Sequence, residues 1–314
     1  MLNTNLPLQS VADETYFPQR LTIQSPDTFR QYALAIRFYS RFLGRTAIIG
    51  DLDDLPLTRF KRWLYTEKKL AAKTVNERAG RIVAMWDWLA RKRLVDHFPT
   101  VEKIPEPRRV PRAWTLEQLQ AIFRESLNCR GRICGIPANL WIRTLLGFQW
   151  NTSERIGATL SISWDMIDFD RKSVIVPAEI RKRGQADEQY TLWPQLLEML
   201  AEVKKYGNHL VFPVDFCKSA LYHRLKKILK RAGLPHGRQF MFHAMRVSHA
   251  TWTEALGGNA TASLRHANPT TTKKHYIDRS IVNQEASVLP HGFLGQSLMQ
   301  GHSNATPANS TADL

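Results

Sequence analysis

The sequence predicts a mainly α-helical protein with a small antiparallel β-sheet, the sheet confined to the second of two domains. Three observations lead there. Apolar residues recur at spacings of three and four through most of the chain, the period of an amphipathic helix. One stretch, MIDFDRKSVIVPAEIRKRGQADEQYTLW at 166–193, abandons that period for short β-branched runs separated by turn residues. Between the two regimes VEKIPEPRRVPR, residues 101–112, interrupts periodicity with three prolines. A length of 314 residues suits two domains, each long enough to bury its own core.

Residues 1–24 show no clear period and are expected to form an extended N-terminal arm. Ser25-Pro26 has the form of an N-cap followed by proline at the first helical position. Phe29, Tyr32, Ala33, Ile36, Tyr39 and Phe42 then make one apolar stripe, which Gly44 ends. A second short helix carries Leu57, Phe60, Trp63 and Leu64. Thr74 with Glu77 has the spacing of a capping box, and Val75, Ala79, Ile82, Trp86 and Leu89 continue the stripe. Residues 25–98 therefore read as a small helical domain, with Lys73, Arg78 and Arg81 on its basic outer side. Residues 99–112 read as a basic, proline-rich linker, to which Arg108, Arg109 and Arg112 give its charge. Such a linker suits wrapping a duplex, and equally suits a plain spacer.

Thr115 with Gln118 is another capping box and opens the larger domain, 113–290. A long apolar helical pattern runs from Ala138 to Trp150. Ile175, Val176 and Ile180 mark short strands, and RKRGQADE is the expected hairpin tip. A helix begins at Pro194 and runs through Val203. Leu221, Leu225, Ile228, Leu229 and Ala232 define the next helix, with Gly233 as its stop. Its polar face carries Lys227, Lys230 and Arg231, a solvated charge run that can double as a phosphate contact. The tail from 291 to 314, rich in Ser, Thr, Asn and Ala, has little to bury and is expected to be disordered.

Lys and Arg number 44 against 28 for Asp and Glu, giving a formal net charge of +16. A surplus of that size attracts polyanions, nucleic acid first among them, although proteins bound to acidic membranes or ribosomes share the composition. Cys129, Cys134 and Cys217 give no disulfide framework and no zinc-site spacing; they read as reduced thiols of a cytosolic protein. The N-terminal MLNTNLPLQSVADETY has no basic region before an apolar run, so no signal peptide is expected. No stretch approaches the roughly 20 apolar residues that span a bilayer.

The residues with chemical potential are ordered along the second domain. Arg155 follows the long apolar helix. Lys182 lies in the hairpin tip. His243 and Arg246 are three apart and share a helical face. His266 follows in LRHANP, and Tyr276 comes ten residues later. Each residue alone has a bland reading: a surface charge, a structural histidine, a core aromatic. The ordered set resembles the tyrosine recombinases, the phage integrase family, and the resemblance covers nearly the whole chain. It is strongest at His243–Arg246 and Leu264–Tyr276, strong around Arg155, and weaker at Lys182.

The resemblance implies a helical core-binding domain followed by a tyrosine-recombinase-like catalytic domain. It implies site-specific recombination through a 3′-phosphotyrosine link with Tyr276 as nucleophile, and no cofactor or metal. Guanidinium groups stay charged and donate in a planar fork, which suits Arg155 and Arg246 to clamp a phosphate's nonbridging oxygens. Lys182 is implied as the acid for the leaving oxygen, His243 as the base, and His266 as a donor to the phosphate. The implied partner is double-stranded DNA, bound by a homotetramer on two duplexes, with Ile281, Val282, Val288, Leu289, Phe293 and Leu294 available to dock into a neighbour or to close the chain's own core. The implied location is cytoplasmic and nucleoid-associated, with no membrane.

Two positions depart from the family pattern. An acidic residue is common three places after the first arginine, where this chain has Ala158. Glu154 lies beside Arg155 as a possible substitute, although adjacent residues of a helix point in different directions. His249 stands where an apolar residue is usual, and the sequence gives it no role. The change at Ala158 keeps open a DNA-binding protein on this fold that has lost chemistry. A type IB-like topoisomerase is the other alternative.

Overall fold

The computed structural model describes residues 2–20, 25–107, 109–181, 186–265 and 268–282. The chain divides into two compact units, Met1–Arg109 and Val110–Leu314.

The first unit is helical. It opens with α1 (Leu8–Val11), which continues into a single π turn at Ala12–Tyr16. The expected extended arm is thus corrected. Leu8, Val11, Ala12 and Tyr16 are buried in the unit's core, and the Leu8 and Leu2 amides donate to the carbonyls of Ala47 and Leu94. Burial of these few apolar side chains outweighs a segment too short to show a period. Next come α2 (Pro26–Leu43), α3 (Asp54–Thr66) and α4 (Ala72–Arg91). Gly44 ends α2 in the left-handed conformation, at φ 70°, which glycine adopts without a Cβ penalty. In α4, Val75, Ala79, Ile82, Trp86 and Leu89 form the buried stripe. The helix begins two residues before Thr74, with Ala71 at its N-cap and no side-chain cap. Packing of Ala72 and Val75 draws the start back, so Thr74 and Glu77 make no cap there.

The proline-rich segment is pinned to this unit rather than spanning free of it. The Thr100 amide and hydroxyl both donate to Asp54, Lys61 donates to the Glu102 carbonyl, and Asn76 pairs with the Ile104 amide and carbonyl. These contacts carry the first unit to 109, past the expected boundary at 98.

The second unit starts at α5 (Leu116–Ser126), whose Thr115–Gln118 capping box is present in both directions. A two-residue hairpin follows, β1 (Arg132–Ile133) against β2 (Ile136–Pro137). Its turn residues Cys134 and Gly135 both have positive φ, as a type I′ turn requires. The central helix α6 (Ala138–Thr152) is buried nearly all round, and Trp141, Leu145 and Phe148 sit at the heart of the core. A short α7 (Ile156–Thr159) leads to the three-stranded antiparallel sheet β3 (Ile167–Asp168), β4 (Ser173–Val176) and β5 (Glu188–Thr191). The register pairs Val174 with Tyr190 and Val176 with Glu188. Then come α8 (Pro194–Lys204), α9 (Lys218–Arg231), α10 (Phe242–Ala255), α11 (Ala260–Ser263) and α12 (Pro269–His275). Gly233, at φ 68°, stops α9, as its place after Ala232 predicts. Among the described residues no helix is long and apolar enough to cross a membrane.

Candidate active site

Four of the six expected site residues fall within the described chain, and the fold brings them to one place. Arg155 is the N-cap of α7, directly after the turn that ends α6. His243 and Arg246 lie in the first turns of α10, and Tyr276 caps the C-terminus of α12. The His243 and Tyr276 rings meet edge to face with centroids 5.2 Å apart. The Arg246 guanidinium lies 5.6 Å from the centre of the Tyr276 ring. Lys182 and His266 lie outside the described residues.

Arg246 is buried, with 2% of its surface exposed, so its backbone partners decide where its charge sits. Its guanidinium donates to the Ser153 carbonyl and, at 2.7 Å, to the Leu264 carbonyl. It thereby ties the loop carrying Arg155 to the segment entering His266. Burial lowers the Arg246 pKa, and Arg155 lowers it further; Tyr276 and Glu154 oppose the shift. The His243 ring reaches solvent, yet desolvation by the surrounding protein lowers its pKa, with Arg246, Arg155 and His275 acting in the same direction. The imidazole is therefore held neutral, as a proton acceptor must be. A cluster of cations whose members repel one another is matched to an anionic ligand.

Tyr276 is moored through its backbone. Its carbonyl accepts from the Thr251 hydroxyl of α10 at 3.0 Å, and the Thr251 hydroxyl oxygen in turn accepts from the Asp278 amide. Asp278, 2% exposed, accepts from the Ala113 amide at 2.9 Å, and the Trp114 amide donates to Ser248 of α10 at 2.7 Å. Sequence reasoning passed over Ser248, Thr251 and Asp278. The signal available was a run of small polar residues on α10 after Arg246, a pattern most helices bury for packing alone.

Glu154 and His249 acquire partners that spacing does not reveal. Glu154 is 1% exposed, and its Oε1 accepts from Arg181 Nε at 2.8 Å and from the Tyr190 hydroxyl at 2.7 Å. The expectation that neighbouring residues diverge rests on a helix, but Ser153 is left-handed and Arg155 extended, so the chain turns between them. His249 binds the Trp150 carbonyl through Nδ1 and the Ser263 hydroxyl through Nε2, both at 2.7 Å. A carbonyl only accepts, so Nδ1 carries the proton.

The basic residues expected on the outer faces have differing surroundings. Lys73, Arg109, Arg112, Lys227 and Lys230 are exposed. Arg78 lies 3.9 Å over the Phe38 ring and Arg81 lies 5.6 Å from the centre of Tyr32, partly buried among aromatics. Arg231 pairs with Glu125 of α5 at 3.3 Å. Arg108 lies outside the described residues. Cys129, Cys134 and Cys217 are free, and among the described residues no group of three or more His, Cys, Asp or Glu is placed to hold a metal ion.

The family model described as phage integrase family matches residues 114–281, more than half of the chain. The chain belongs to the phage integrase family. Its enzyme class is therefore the tyrosine-type site-specific recombinase, which breaks and rejoins DNA. Solved structures share the fold over most of the chain. A lambda integrase dimer bound to a core site is 15% identical, with a TM-score of 0.66, over 90% of this chain and all of that one (100%). The Tn1549 transposon integrase in complex with circular intermediate DNA is 13% identical, with a TM-score of 0.65, over 86% of this chain and 95% of that chain. The XerH recombinase bound to a palindromic substrate is 15% identical, with a TM-score of 0.62, over 80% and 77%. No curated sequence matches this chain.

Proposed function

We propose that the chain recombines double-stranded DNA at a specific site, with Tyr276 as nucleophile and Arg155, Lys182, His243, Arg246 and His266 as its catalytic set. The observation that carries the reading is the meeting of Tyr276 with His243 at 5.2 Å beneath the buried Arg246. In the forward step the Tyr276 oxygen attacks phosphorus and His243 takes the phenol proton. The bond from phosphorus to the 5′ oxygen breaks, and Lys182 protonates the departing oxygen. The product is a 3′-phosphotyrosine and a free 5′ hydroxyl. A 5′ hydroxyl from a second strand then attacks phosphorus and releases the tyrosine, so bond energy is conserved without nucleotide hydrolysis.

Each assigned residue meets a need of that reaction. An ordinary phenol titrates near ~10, so attack at neutral pH needs a base, and the neutral imidazole of His243 supplies one. Negative charge gathers on the nonbridging oxygens, and Arg155 and Arg246 are the cations we assign to it. Loss of one preorganised donor typically costs on the order of 10²–10³ in rate. His266 is assigned to the same phosphate.

The net charge of +16, and the DNA present in the solved complexes of lambda integrase and XerH, support a DNA partner. Exposed Lys73, Arg109, Arg112, Lys227 and Lys230 are its candidate phosphate contacts. The assembly we propose is a homotetramer on two duplexes, acting at the nucleoid. A suicide duplex, nicked beside the cleavage point so that the released fragment diffuses away, tests the reading. Wild type accumulates a covalent protein–DNA adduct and Tyr276→Phe does not; an undiminished adduct in the variant rules the assignment out.

A further inference from the structure

We propose that Glu154 is a positioning residue for Arg155, doing from the preceding position what the family's acidic residue would do at position 158. The inference rests on the reading of Arg155 as a phosphate clamp.

Ala158 cannot itself hold anything, since it is a 3% exposed methyl packed into the core. The carboxylate is instead supplied one residue before the arginine. Three donors surround it: Arg181 Nε, the Tyr190 hydroxyl and, at 3.3 Å, the Arg155 amide itself. Arg181, its side chain 8% exposed, also reaches Glu188 at 3.5 Å, and Glu188 pairs with Arg265 at 3.0 Å. The chain of charges thus runs from the Arg155 loop to the base of the β4–β5 hairpin and on to the residue before His266. Tyr190 is committed to the carboxylate: burial and Glu154 both push its phenol pKa upward.

The backbone needs such an anchor. Ser153 is a non-glycine residue at φ 54°, and the next two residues must swing out of one helix and into another. Arg246 holds the Ser153 carbonyl and Gln149 approaches the Glu154 carbonyl at 3.5 Å, both from the helical side. Glu154 fastens the same turn to the sheet. The arrangement also sorts the cations. Arg181 and Arg265 are paired with Glu154 and Glu188, so the charge of these two arginines is taken up within the network. A buried ion pair of this kind seldom adds net stability over a neutral pair of the same shape, so fixing position is the role that accounts for it.

The test compares strand cleavage of two substrates, one with an ordinary scissile phosphate and one with a methylphosphonate there. The methyl group replaces a charged nonbridging oxygen and removes the need for a clamp. Glu154→Gln keeps the acceptor for Tyr190 and removes the charge; Glu154→Gln with Arg181→Met removes both charges and guards against a fold left with one unpaired ion. In both, we expect duplex binding to match wild type and phosphate cleavage to fall about 10- to 100-fold, the scale of a misplaced group. On the methylphosphonate both should return to within about 3-fold of wild type, because the lost interaction is made to charge in the transition state. Equal losses on both substrates, or no loss on either, overturn the proposal. Arg155→Ala is the control: if it cleaves the phosphate as well as wild type, the clamp assignment itself is wrong.

Discussion

Replacing His249 by alanine should weaken the second unit measurably while leaving its core in place. The ring joins α10 to the end of α6 and to α11, through the Trp150 carbonyl and the Ser263 hydroxyl, at 2.7 Å each. A net hydrogen bond contributes about 1 kcal/mol, and a buried acceptor left without a donor adds its desolvation cost, so the loss is about 2–3 kcal/mol. For a unit of roughly 200 residues each kcal/mol moves the midpoint about 2–4 °C, which places the shift near 4–12 °C by calorimetry of the full chain. His249→Asn keeps an N–H close to the Nδ1 position and should recover about half of it. Burial lowers the His249 pKa, with Arg246 adding to the effect and the Trp150 carbonyl opposing it. A histidine that resists charging in the folded state leaves the unfolded chain binding more protons. Stability from this group is therefore present above the ordinary value of 6.5 and declines as pH falls through that value toward the lower folded one. His249→Ala should lose this acid-side decline. An unchanged midpoint, or an asparagine variant as weak as alanine, would refute the reasoning.

Other consequences can be checked directly. Because His243 acts in its neutral form and its pKa is lowered, single-turnover cleavage should hold its rate below pH 6.5 and fall only in more acid buffer; a limb at or above 6.5 contradicts the environment described. Lys73→Ala and Arg112→Ala, both exposed, should each reduce the slope of log binding constant against log salt by about 1 if they contact phosphate. Arg78→Ala should instead lower the thermal midpoint of the first unit, since its guanidinium covers the Phe38 ring; an altered salt slope at constant midpoint would reverse that assignment. Adduct formation should persist in EDTA, and a loss restored by a divalent cation would point to a metal-dependent step.

What the sequence made legible follows from the range of the interactions concerned. Helix period, the Thr115–Gln118 box and the stops at Gly44 and Gly233 are local, and each is present. The N-terminal segment has no legible period because its four buried apolar residues are covered by core side chains far along the chain, as Tyr16 is by Tyr32 and Trp88. Thr74 has the right spacing for a cap, yet packing of Ala72 overrides it. The two-residue strands β1 and β2 are too short to carry a period. In the site, the order of Arg155, His243, Arg246 and Tyr276 was readable as a family pattern. The supporting shell was not. Glu154 meets partners 27 and 36 residues away, and His249 meets one 99 residues away, distances at which no spacing rule operates.

The central claim, that one particular phenol becomes joined to DNA, is tested most directly by locating the bond. Wild-type protein trapped on the nicked suicide duplex, digested with nuclease and protease and sequenced by mass spectrometry, should carry its nucleotide remnant on Tyr276. The remnant on another of the eight tyrosines, or on a serine or histidine, would contradict the account.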